Sequence, residues 1–160
     1  MAPQRIIWHH SADPTTEHQF DKINEYHRQR DFPVSSLGFH VGYHWLIEYD
    51  GTLKQARRET EIGAHDTGEN LNSIGICLAG DFGKSLPSEA QAATAALLVS
   101  QIRAKWNIPL TRFEPHRIDD DTSCPGFRLP DNWLIKQYLE RHSDPLHRLF
   151  WWLGERLKLL

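Results

Sequence analysis

Apolar and polar positions along the chain switch between two periods. Ile6, Ile7 and Trp8 form a short apolar run, so Arg5–His9 reads as a strand. Ser11–Thr16 reads as a polar loop that supplies an N-cap to a helix over Glu17–Arg30, where Phe20, Ile23 and Tyr26 fall near helical spacing. Asp31–Gly38 is a Pro/Ser/Gly loop. Phe39–Tyr49 then reads as a strand and Thr52–Ala56 as its partner, with Asp50-Gly51 as a two-residue hairpin turn. Glu59–Asn72 is polar and contains glycine, which predicts a long surface loop. Ile74–Ala79 is apolar enough for a strand buried on both faces. Ser88 caps a helix running to about Trp106, Arg112–Pro115 is a short strand, and Asp131–His142 is a helix with Trp133, Leu134, Tyr138 and Leu139 on its apolar side. Strands and helices thus mix, with a hairpin among them. That predicts an α/β fold: a single domain built on a mixed central sheet flanked by helices, not a purely doubly wound one.

The same pattern sets the boundaries: a domain over residues 1–142 and a C-terminal extension over 143–160. In the extension Leu146, Leu149, Phe150, Leu153, Leu157 and Leu160 recur at three- and four-residue steps, while Arg148, Arg156 and Lys158 outnumber Glu155. This predicts a basic amphipathic helix with Trp151 and Trp152 near its middle. It has two uses: packing on the domain or a second subunit, or peripheral contact with an anionic membrane surface.

Composition narrows the classes. A chain of 160 residues suits one compact domain. A net charge of -3 gives no general reason to expect a nucleic-acid partner. No run reaches the roughly 18 apolar residues that cross a bilayer, and no apolar signal segment precedes the first strand. Ten His are unusual and favour metal chemistry; six Trp suit either a sugar-binding groove or a core. Cys77 lies in the apolar run and behaves as a small hydrophobe. Cys124 lies in a polar Pro-Gly loop, and a bridge between the two would remove a metal-binding thiolate, so both are expected free.

The chemistry sits in two places, His9-His10-Ser11-Ala12 and His116 through Cys124-Pro-Gly. Together they offer two imidazoles and a thiolate for one ion. A structural zinc site closes with four protein ligands, whereas a catalytic one uses three and leaves a position for water. A nitrogen-and-sulfur set suits Zn2+. Because residues alternate faces along a strand, His9 and His10 do not both point easily into one site, and periodicity leaves the choice between them open.

Four blocks occur in order: Trp8-His-His-Ser-Ala12, Gly42-Tyr-His-Trp-Leu-Ile-Glu-Tyr-Asp-Gly51, Gly63-Ala-His through Gly80, and His116 through Gly126. With these blocks the chain, from about Arg5 to Leu139, resembles the type-two N-acetylmuramoyl-L-alanine amidases. That family includes small phage lysozyme-amidases and shares its fold with the peptidoglycan-recognition proteins. The resemblance implies His9, His116 and Cys124 as ligands of one Zn2+ at one edge of a substrate groove. It implies Tyr43 as a catalytic residue and His65 as a substrate contact, against the alternative of an ordinary loop histidine. Some phage members carry lysine at the position of Thr122, whose hydroxyl is then the available donor to an oxyanion. His44, alternating away from Tyr43, reads as structural. The implied activity is cleavage of the lactyl–L-alanine amide of peptidoglycan by a monomeric phage or prophage endolysin, made in the host cytoplasm and released to the wall. Two alternatives stand beside it: an intracellular amidase recycling soluble anhydro-muropeptides, and a peptidoglycan-binding module without catalysis.

Overall fold

In a computed structural model, which describes residues 2–143, the chain forms one five-stranded sheet with a helix on one face and two on the other. The strands are β1 (Arg5–His10), β2 (Trp45–Ile47), β3 (Leu53–Gln55), β4 (Ser73–Leu78) and β5 (Phe113–Pro115), in the order β3-β2-β4-β1-β5. Only β2 and β3 pair antiparallel; the other neighbours run parallel. The helices are α1 (Phe20–Gln29), α2 (Glu89–Trp106) and α3 (Trp133–Ser143). This is the mixed sheet that the alternating pattern predicts. The C-terminal extension expected as a helix lies outside the described residues.

Strand parity divides the core. Ile6 and Trp8 of β1, Ile74, Ile76 and Leu78 of β4 and Ile47 of β2 pack beneath α2 and α3. Cys77 and Leu46 face the other way, toward Phe20 of α1. β1 and β4 are buried over most of their length, as strands covered on both faces must be. Ser88 caps α2 with a full capping box, its side chain accepting from Gln91 while the Gln91 side chain accepts from Ser88.

Three local features depart from the sequence expectation. α1 begins at Phe20 rather than Glu17, and its cap comes from elsewhere. The buried Glu48 carboxylate accepts the backbone N–H groups of Gln19 and Phe20 at 2.8 and 2.9 Å. The strand expected over Phe39–Tyr49 shortens to Trp45–Ile47, because Gly42 donates to His27 Nδ1 at 3.0 Å and accepts from Ala64 at 2.9 Å instead of joining the ladder. Its hairpin loop has three residues rather than two: Glu48 N–H bonds Thr52 across Tyr49-Asp50-Gly51, with Gly51 in the left-handed region at φ 86°. Finally, the expected surface loop over Glu59–Asn72 folds back over the sheet and buries His65 and Asp66. Asn70 Oδ1 accepts from both of their backbone N–H groups, and Gly75 of β4 leaves the room, since a Cβ there would lie 2.4 Å from the His65 ring.

Candidate active site

The α1 face of the sheet carries the candidate centre. β1 and β5 pair with Trp8 opposite Pro115. The residue after each of these is a histidine, His9 still on β1 and His116 opening the turn after β5, and their rings meet at 4.5 Å between centroids. His9 is 1% exposed, with its Nδ1 3.8 Å from Cys124 Sγ. Cys124 is held by a short loop in which Arg117 N–H donates to its carbonyl at 3.0 Å and its own N–H donates to Thr122 Oγ1 at 3.2 Å. Gly126 ends that loop at φ 106°, pressed so close to Phe82 that a Cβ would lie 2.3 Å from its carbonyl carbon. Tyr43 packs its ring 5.1 Å from that of His9. One ligand atom from each of His9, His116 and Cys124 falls within 4.8 Å of the others.

Strand parity puts the two neighbouring histidines of β1 on opposite faces. His10 points to the opposite side, where its Nδ1 accepts from Phe82 N–H at 3.1 Å. Both cysteines are free thiols. His44 is structural: Nδ1 accepts from Gly75 N–H at 3.0 Å and Nε2 lies 2.9 Å from the Glu61 carbonyl. His65 is 9% exposed and sets its Nδ1 3.1 Å from His9 Nε2.

Burial, with His65 and His116 adding to it, pushes the His9 imidazole well below its usual range. Burial, with His44 and His116 adding, does the same to His65. Both rings are therefore neutral at neutral pH, the form that can bind a metal. Burial also pushes the Cys124 thiol up to about 11, a cost that a coordinated cation reverses. The Tyr43 phenol is raised well above its ordinary value by burial and by Cys77 and Cys124, so it stays protonated.

Two carboxylates near His116 escape sequence reasoning. Asp120 Oδ2 lies 3.0 Å from His116 Nε2, and Asp66 Oδ2 lies 3.9 Å from the same atom. The Asp66 side chain is fully buried, and neither of its oxygens has a hydrogen-bond partner among the described residues. Burial lifts its carboxyl to about 6. The Asp run after His116 puts Asp120 one helical turn on, a visible signal; Asp66 carries no signal beyond its place next to His65. The nitrogen-and-sulfur donor set fits zinc, and the negative charge behind His116 fits a cation in front of it.

Two cavities flank the centre. One of about 460 Å³ runs along α1 and is lined by Gln19, Ile23, Tyr26, His27 and Tyr43. The other, about 290 Å³, is lined by Phe32, His65, Asp66, Thr67, His116 and Asp120. No helix among the described residues is long and apolar enough to cross a membrane.

A family model described as N-acetylmuramoyl-L-alanine amidase matches residues 1–127. An endolysin of Enterobacteria phage T3 is 31% identical over 138 residues, which is 81% of this chain and 85% of the relative. Peptidoglycan-recognition protein LB of Drosophila melanogaster is 33% identical over 127 residues, 78% of this chain and 55% of the relative. Among solved structures, the N-acetylmuramoyl-L-alanine amidase LysC from Clostridium intestinale URNW superposes with a TM-score of 0.72 at 29% identity, covering 89% of this chain and 86% of the other.

Proposed function

The chain belongs to the N-acetylmuramoyl-L-alanine amidase family, and we propose that it is a zinc-dependent amidase of phage or prophage origin that cuts the lactyl–L-alanine bond of peptidoglycan. The observation that carries this reading is the convergence of His9, His116 and Cys124 beside Tyr43. When bound by these three residues, zinc supplies Lewis acidity and a nucleophile at neutral pH.

The chain's own groups do the rest. Neutral His9 and the thiolate of Cys124 bind the cation. Tyr43, held protonated by burial, donates a hydrogen bond where negative charge develops on the carbonyl oxygen, a contribution of roughly 3–4 kcal/mol for one well-placed donor. Thr122 accepts from Cys124 N–H and keeps its own hydroxyl proton for a second such bond. The leaving L-alanine amine takes up the proton that the attacking water gives up, relayed through the Tyr43 hydroxyl or a water beside it, so that Tyr43 receives one proton as it passes one on and ends protonated. His65, on the wall of the smaller cavity, is the proposed substrate contact. Monomeric action on the wall, after synthesis in a host cytoplasm and release, belongs to the same reading.

Purified protein should release free amino groups from peptidoglycan with no new reducing ends, and chelation or Cys124→Ser should abolish the release. Reducing ends without amines would overturn the reading. The similarity to a peptidoglycan-recognition protein supports a second reading, binding without cleavage; it predicts sacculus binding that survives with no amine released. Activity on soluble anhydro-muropeptides but not on intact sacculi would point to recycling instead. For residues 144–160 two readings stand, packing on the domain or a second subunit and, as the alternative, peripheral contact with anionic membrane. A truncated protein that keeps its stability and loses binding to anionic vesicles supports membrane contact; a truncated protein with lowered melting temperature assigns the segment to packing.

A further inference from the structure

The hydrogen bonds around the centre leave each ligand histidine one proton position. His116 Nε2 lies 3.0 Å from Asp120 Oδ2. An ionised carboxylate only accepts, so Nε2 carries the proton and Nδ1 holds the lone pair. On the other side a chain of contacts runs from Ser73 through His65 to His9. Ser73 Oγ donates to the Glu69 carbonyl at 2.7 Å, so its one proton is used. Its remaining contact, His65 Nε2 at 3.4 Å, must then be a donor. That puts the His65 proton on Nε2 and makes Nδ1 an acceptor. His9 Nε2, 3.1 Å from it, must therefore donate. The lone pair of His9 is left on Nδ1, the atom that faces Cys124 Sγ.

We propose that Ser73 and His65 on one side, and Asp120 with Asp66 on the other, are positioning residues that fix both ligand histidines as Nε2–H tautomers, so that the metal is bound through Nδ1 of each. The inference rests on the zinc reading above. It gives buried His65 a task that needs no contact with substrate. It also accounts for Asp66: a wholly buried carboxylate without a donor, 3.9 Å from His116 Nε2, gains its counter-charge when a dication binds the far side of that ring. Such outer partners orient the ring and raise its basicity, and losing one costs roughly 10–100-fold in metal affinity.

The whole protein is loaded with Zn2+, or with 113Cd2+ as a spectroscopic stand-in, and the ring nitrogens are read by long-range 15N correlation. Both histidines should show a protonated Nε2 and a metal-coupled Nδ1. Coupling to Nε2 of either ring overturns the proposal while leaving zinc binding standing. Failure of the unaltered protein to bind zinc at all overturns the zinc reading and the proposal with it. Affinity is then measured by chelator competition. Asp120→Ala, at a partly exposed position, and Ser73→Ala, which never touches the metal, should each weaken zinc roughly 10–100-fold. Asp120→Asn and Ser73→Thr keep an acceptor oxygen in place and should restore most of it. Unchanged affinity in both alanine variants, or no recovery in both conservative ones, overturns the assignment.

Discussion

Single side chains carry the chemistry, and the most direct test falls on Tyr43. Tyr43→Phe removes the donor and leaves the ring that packs on His9, so kcat should fall by roughly 10²–10³ with zinc content unchanged; wild-type turnover would remove its role. Thr122→Ala should give a smaller loss, since the hydroxyl is neutral, and full turnover would leave Thr122 only its bond to Cys124. His27 gives a pH signature. Burial, with Arg30 and Arg57 adding, lowers its imidazole to about 4, while its Nδ1 accepts from Gly42 N–H. In the unfolded chain the group titrates near 6.5. Between these values the unfolded state binds more protons. The contribution of His27 is thus complete above about pH 6.5 and is lost as pH falls toward 4. His27→Asn, whose amide oxygen can take over as acceptor, should flatten this part of the acid limb in urea unfolding of the metal-free protein. Buried His9, His44 and His65 keep a residual slope in both proteins. The residue types of the candidate centre stand out in the sequence because few side chains bind zinc. Which of His9 and His10 faces inward does not, because parity alone does not say which face of β1 meets α1. Asp66 was illegible for a related reason: its burial comes from the fold of the 59–72 loop back over the sheet, where Asn70 Oδ1 accepts from its backbone N–H.

Among the elements, those with locally paid hydrogen bonds were the legible ones. α2 carries its own capping box, and its start was read at the residue. α1 takes its cap from Glu48, twenty-eight residues away from Phe20, and the sequence pattern puts its start at Glu17, ahead of the observed Phe20. Glu48→Ala removes the acceptor of two buried N–H groups and should cost roughly 2–3 kcal/mol in denaturant unfolding, with Glu48→Gln costing less. Because α1 lines the larger cavity, KM should rise in the alanine variant more than kcat falls. An unchanged unfolding midpoint would show that water caps the helix equally well. Residues 39–44 misled the strand reading because their partners are a helix histidine and a distant loop, neither of which leaves a periodic trace.

At the scale of the molecule, the three candidate ligands come from β1, from the turn after β5 and from the loop behind it. An ion held by these three would therefore recognise the folded chain and not a local segment. Metal removal should lower the melting temperature, and saturating zinc should stabilise by roughly 4 kcal/mol at a thousandfold excess over Kd. A melting temperature indifferent to chelator would mean that these donors do not hold an ion. The mixed sheet itself was legible from alternating periods; its order was not, since nothing in β1 announces that it sits between β4 and β5.

That order has a consequence for how the protein is made. β1 is synthesised first, yet both of its neighbours, Ser73–Leu78 and Phe113–Pro115, emerge much later. This interior strand must wait, unpaired, until most of the chain exists, and pairings this distant fold on the slow side, in roughly milliseconds to seconds. A nascent chain that stops short of residue 124 lacks the thiolate altogether. On the ribosome the chain therefore stays without its complete set of candidate donors until β5 and the loop behind it have emerged.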